Sequence, residues 1–156
     1  MKRIVIFFLV ICTFCFTALA QNKTVKAIVK VPGFIYPLLP DDIAKWDNED
    51  SDKILSNPAI KTRLKKLLGK KGYSDFMEGF ETINPIEKRG DFLFTKGCMI
   101  HACGHIESAI AIDLKYKTIH VGIYRDRQKN RYFNENRSKT PVLIKVWGLN
   151  LKPGAL

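Results

Sequence analysis

The chain has 156 residues, with 26 Lys and Arg against 15 Asp and Glu, a formal charge of +11. Hydrophobic residues make up 46% of it and aromatic residues 11%, which excludes a disordered chain and makes one domain with its own core the expectation. The charge points to anionic partners or to a lysine-rich solvated surface, and nucleic acid fits poorly with the export signal that opens the chain.

Met1-Lys2-Arg3 is a short basic start, Ile4 to Phe16 is almost wholly apolar, and Ala18-Leu19-Ala20 has the small-x-small pattern of a cleavage site. The expectation is a signal peptide over 1–20 and a single domain over 21–156, beginning at Gln21. The apolar run is shorter than the about 20 residues that a comfortable crossing needs, and no later stretch is long or apolar enough, so no membrane span is expected. Cleavage removes Lys2 and Arg3 and takes the charge from +11 to +9. It also removes Cys12 and Cys15. Cys98 and Cys103 are the cysteines that remain, in an oxidising compartment that favours a disulfide.

Val25 to Val31 reads as an edge strand, broken by Pro32-Gly33 and by Pro37 to Pro40. Asp41 to Trp46 reads as a short helix opened by acidic residues, and Asp47 to Asp52 as an acidic loop. Asn57-Pro58 starts the clearest helix, with Asn57 as cap and Pro58 at the first helical position. Ile60, Leu64, Leu67 and Leu68 share its apolar face, Lys61, Arg63, Lys65 and Lys66 point away, and Gly69 stops it. A second helix follows Gly72, capped by Ser74, with Tyr73, Phe76, Met77 and Phe80 as its stripe. From Asp91 the pattern is that of strands. Phe92 to Thr95 is the first. Ser108 to Leu114 and Thr118 to Arg125 alternate as a hairpin turned at Lys115-Tyr116-Lys117, with one buried face and His120 on the surface opposite. Arg125 to Lys139 is a basic segment, within which Tyr132-Phe133 is a short strand. Val142 to Leu149 reads as the last strand, with Pro141 at its start. Helices first and strands later predict an α+β domain: an antiparallel sheet of about five strands with helices packed on one face.

Between two of those strands lies Gly97-Cys98-Met99-Ile100-His101-Ala102-Cys103-Gly104. A Cys98–Cys103 disulfide closes a six-residue ring; in the chain-entropy account it removes on the order of 2 kcal/mol of unfolded-state freedom. Its larger effect is local, because a loop fixed in its bound shape loses less freedom on binding. Gly97 and Gly104 read as hinges that permit unusual backbone angles. His101 is the polar side chain at the tip, and an imidazole can bridge two carboxylates, such as the pair flanking the scissile bond in glycosidases. Two other readings stand beside this plug: a disulfide-closed turn with no role for its histidine, and a zinc site from Cys98, His101, Cys103 and His105. The zinc spacing matches no common framework. No Gly-rich phosphate loop, Gly-x-Ser-x-Gly elbow or paired carboxylates stand out, so neither an enzyme nor a cofactor is expected. A further alternative is a non-enzymatic envelope module whose Lys61, Lys65, Lys66, Lys70 and Lys71 bind anionic glycan or lipid headgroups.

Cys98-Met99-Ile100-His101-Ala102-Cys103 resembles the C-x-x-H-x-C loop of the Ivy family, the periplasmic inhibitors of vertebrate lysozyme. The likeness runs from Asn57 to Tyr124: the Asn57-Pro58 helix ending Lys65-Lys66-Leu67-Leu68-Gly69, the aromatic helix after it, Asn84-Pro85-Ile86-Glu87 before a strand, and the hairpin after Cys103. It implies a helix-flanked antiparallel sheet and insertion of His101, clasped by Cys98–Cys103, into the catalytic cleft of a C-type lysozyme or a related glycan hydrolase. It also implies periplasmic or secreted localisation and allows a homodimer. Strong inhibitors of the family carry Lys-Pro before the histidine and Asp after it, where this chain has Met99, Ile100 and Ala102. Loss of the proline is expected to loosen the loop. C-type lysozymes are themselves basic, and like charges slow encounter.

Overall fold

The computed structural model describes residues 28–31 and 34–151; the expected signal peptide over 1–20 and the start of the first expected strand lie outside them. A hairpin of β1 (Ile28–Val31) and β2 (Phe34–Pro37) comes first, followed by a single 3-10 turn at Ile43–Lys45. Then come α1 (Asp52–Ser56) and α2 (Pro58–Glu78). The remaining strands are β3 (Glu87–Arg89), β4 (Phe92–Cys98), β5 (Ile106–Asp113), β6 (Thr118–Arg125) and β7 (Arg131–Asn134), and α3 (Val142–Asn150) closes the described chain. The five strands form one antiparallel meander in sequence order. This is an α+β domain in which α1 and α2 precede the five-stranded sheet.

The Asn57 side chain accepts hydrogen bonds from the Ala59 and Ile60 amides, at 3.0 and 3.2 Å. It caps α2, and Pro58 follows where no N–H is needed. Gly69 (φ 67, ψ 177) breaks the helical path, but the chain re-enters it at once. The two expected helices are therefore halves of one broken helix, and Ser74 is an exposed mid-helix residue with no capping role. Ile60, Leu64, Leu68 and Phe76 pack against Ile110, Ile112, Ile119, Val121 and Ile123 on one face of the sheet. Each such side chain contributes about 1.5–3 kcal/mol by leaving water, so the β5–β6 centre dominates the core.

Val142 to Leu149 is the helix α3, not a strand. It covers the second face of the sheet, where Ile144 and Trp147 pack on Phe94, Ala109, Ala111 and Tyr124. The β5–β6 hairpin is thus buried on both faces. Gly122 makes this contact feasible: a Cβ there would lie 2.5 Å from Trp147 Cζ3. His120, on that second face, is buried rather than exposed, with Nδ1 2.9 Å from Asn134 Oδ1 and Nε2 3.2 Å from Thr118 Oγ1. Arg63 does not point to solvent with its lysine neighbours; it is buried against Glu135. The acidic stretch after Trp46 also holds more structure than a loop, with a bridge at Asp50↔Pro85 and the start of α1 at Asp52.

Candidate functional site

Strands β4 and β5 pair as far as Cys98↔Glu107, and the Met99 amide extends the ladder one step by donating to Ile106 O at 3.0 Å. Beyond this the chain turns twice. The Ala102 amide donates to Met99 O at 3.0 Å, which closes a four-residue turn with His101 in its third position at φ 64. Turns with a positive angle at this position favour glycine or asparagine, and histidine tolerates it better than most other residues. Gly104 (φ 83) then carries the chain through the second turn, in which the Ile106 amide donates to Ala102 O at 2.9 Å. The Cys98–Cys103 disulfide ties the legs together, with Cα atoms 5.0 Å apart. Linked sulfurs are not thiolate ligands, so the four-ligand zinc arrangement does not apply to this loop.

His101 stands at the exposed tip beside Ile100, which is 51% exposed, while Met99 and Ala102 are half-buried. Among the described residues the His101 imidazole has no hydrogen-bond partner. Gly97 differs from its expected hinge role. It lies within β4 and has no positive φ; a Cβ on it would stand 2.9 Å from the Phe80 Cα. Its missing side chain lets the strand leading to the loop lie directly on the end of α2.

Support for the loop comes from segments that sequence reasoning missed. Thr82 brackets Cys98: its amide donates to Cys98 O at 3.1 Å, and its hydroxyl accepts from the Cys98 amide at 3.0 Å. Next to it, the Glu81 carboxylate accepts the Ile100 amide at 3.0 Å. On the other leg, Glu107 accepts the Gly104 amide at 2.9 Å. His105 O accepts from the Asp126 amide at 2.7 Å, and its Nδ1 stands 3.3 Å from Asp126 Oδ2. The loop has no acid of its own, yet Glu81, Glu107 and Asp126 surround its base. Nothing in the local pattern around Glu81 or Thr82 marks them, since their roles depend on β4 packing beside the end of α2.

Beneath the loop, Arg125 ties β6 to α2 by pairing with Glu78 and, at 3.3 Å, with Asp75. Its charge is favoured chiefly by the hydrogen bond to Glu78. Asp75 also accepts from Arg131 at 2.7 Å and from Lys71 at 3.1 Å. Burial alone would raise the Asp75 carboxyl, but the hydrogen bonds and charges of Arg131 and Lys71 outweigh it and hold the group below its ordinary value. A depressed folded pKa stabilises the native state above the unfolded value, near 3.9, and that contribution disappears as pH falls through the folded value. Wild type is therefore expected to lose its urea-stability advantage over Asp75→Asn between about pH 5 and pH 2, measured as the difference in midpoint. An advantage that stays constant over that range would contradict the assignment.

The lysines of α2 are not a bare cationic face. Lys65 and Lys66 lie over the Tyr73 and Tyr36 rings, at 5.5 and 4.9 Å, and Lys71 is bonded to Asp75. Lys61 and Lys70 are exposed.

A family model described as Inhibitor of vertebrate lysozyme (Ivy) matches residues 59–151, a span that holds α2 after Pro58, the loop and α3. No curated protein and no solved structure matches the chain.

Proposed function

This chain belongs to the inhibitor of vertebrate lysozyme (Ivy) family, and we propose that it blocks a C-type lysozyme or a related glycan hydrolase by lodging the Cys98–Cys103 loop in the catalytic cleft, His101 foremost. One observation carries the reading: an exposed imidazole, without a partner among the described residues, at the apex of a turn whose two legs are joined by a disulfide. Such a group can lie between the two carboxylates of a glycosidase and hydrogen-bond both. Because the loop is already shaped, little ordering free energy is lost on entry. Glu81, Glu107 and Asp126 supply local negative charge beside the loop, so a basic target meets a milder surface than the overall charge suggests. In this reading residues 1–20 are the export signal, 21–156 are one inhibitor domain acting in the periplasm or outside the cell, and the protein has no catalysis of its own.

The test is a titration of purified protein against a C-type lysozyme. Inhibition is expected to be competitive with substrate, and a flat response at micromolar protein sinks the reading. The Glu81→Ala variant asks what keeps the loop shaped without a proline at Ile100. Removing this charged acceptor is expected to raise the inhibition constant about tenfold, from the low end of the 1.5–3 kcal/mol range for hydrogen bonds to charged groups. An unchanged constant would show that the Glu81 bond to the Ile100 amide is not what holds the loop in shape.

A further inference from the structure

Helix α3 is apolar on two sides but uses only one against the sheet. Ile144, Trp147 and Gly148 are buried, whereas Val142, Val146 and Leu149 are 74%, 47% and 51% exposed. The exposed three recur at i, i+4 and i+7 and so form one stripe. Alongside runs a groove of about 650 Å³ between α3 and the β3–β4 edge, walled by Phe92, Phe94, Val146 and Trp147. That volume is within the range that holds a small ligand. Lys96 and Arg89 stand at the groove, and Lys145 is exposed on α3 beside Val146. Arg89 is already paired with Glu87. Among the described residues Lys96 and Lys145 have no ion-pair partner. Neither α3 nor the groove lining contains an acidic residue.

We propose that this face docks on an anionic bilayer surface, with acyl chains against Val142, Val146, Leu149 and the groove, and lipid phosphates on Lys96 and Lys145. Aliphatic side chains bordered by lysines match an interface that is hydrocarbon below and phosphate above. A second copy fits less well. A two-fold contact sets the same patch against itself, which would bring Lys96 and Lys145 of both copies together with no acid in the groove lining to offset them. The contact is superficial, since among the described residues no helix is long and apolar enough to cross a membrane. It lies across the sheet from α2 and is independent of the lysozyme reading.

Flotation with vesicles tests the proposal. Purified protein is expected to float with vesicles of phosphatidylethanolamine and phosphatidylglycerol and not with phosphatidylcholine alone. Val146→Asp/Leu149→Asp and Lys96→Glu/Lys145→Glu are each expected to weaken binding at least about thirtyfold, the second because losing each lysine near the surface costs about a factor of five before the added carboxylates repel the lipid. Lys61→Glu/Lys65→Glu changes net charge equally on the opposite side of the sheet and is expected to leave binding within about threefold, as little of the surface potential reaches beyond a Debye length. Equal flotation with neutral vesicles overturns the proposal, as does an unaffected aspartate pair or an equal loss in the Lys61/Lys65 variant. A dimer by light scattering that the aspartate pair dissolves, without vesicle binding, makes a second copy the occupant and overturns it too.

Discussion

His101→Ala is expected to raise the inhibition constant against a C-type lysozyme by about thirtyfold or more, the loss typical when a central interface anchor is truncated. The imidazole is exposed and unpartnered among the described residues, so its removal disturbs no contact within the fold. The backbone at φ 64 needs separate control, because alanine is less at ease there than histidine. His101→Asn supplies it, since asparagine tolerates the left-handed region and keeps a hydrogen-bonding tip while losing the cationic form. If the plug acts through imidazole, both variants stay folded, with at most a small fall in urea midpoint for alanine at φ 64, and both lose inhibition, the asparagine variant less. An alanine variant that inhibits within threefold of wild type removes the mechanism. If alanine loses inhibition and asparagine retains it fully, the turn geometry matters rather than the imidazole.

The parts legible in the sequence were those in which local chemistry and tertiary structure agree. Asn57-Pro58 states its cap and first helical position within two residues. The β5–β6 hairpin is written in alternation, and its turn is set by Asp113, whose Oδ1 accepts the Lys115 and Tyr116 amides at 2.8 Å. The disulfide loop announced itself by spacing. Val142 to Leu149 misleads because a short run, β-branched and apolar apart from Lys145, has no decisive period. The missed signal lay elsewhere: Ala109, Ala111 and Gly122 are small residues on the second face of β5 and β6, and they mark a face closely covered rather than wet. The same cover explains buried His120, which a one-sided sheet placed in solvent. In the sequence Arg63 reads with its lysine neighbours because its partner is 72 residues away, beyond the reach of local pattern. Glu81 and Thr82 were invisible for the same reason.

That distant partner carries the largest expected effect on stability. Arg63 and Glu135 are 4% and 1% exposed, and the guanidinium meets the carboxylate as a fork, with Nε 2.9 Å from Oε1 and Nη2 on Oε2. The remaining capacity of both groups is used by the backbone. Nη2 donates to Lys117 O at 2.7 Å, and Glu135 Oε2 accepts the Ile119 amide at 2.8 Å. The pair therefore joins α2, the β5–β6 turn and the segment after β7 at one point. Lys117 and Asn136, on either side of it, sit at φ 54 and 55, which side chains other than glycine rarely adopt. Glu135→Ala strands the guanidinium in the interior and leaves the Ile119 amide without an acceptor. Breaking a buried pair from one side costs about 3–5 kcal/mol, a large share of the 5–15 kcal/mol that holds a typical domain folded. The urea midpoint should fall accordingly with the slope unchanged. Glu135→Gln keeps a carbonyl for the amide and should lose less. Arg63→Met/Glu135→Leu removes both charges and should recover most of the loss, because the stranded ion, not the missing attraction, dominates the single variant. A double variant as unstable as Glu135→Ala would instead assign the loss to the backbone bonds at Lys117 and Ile119.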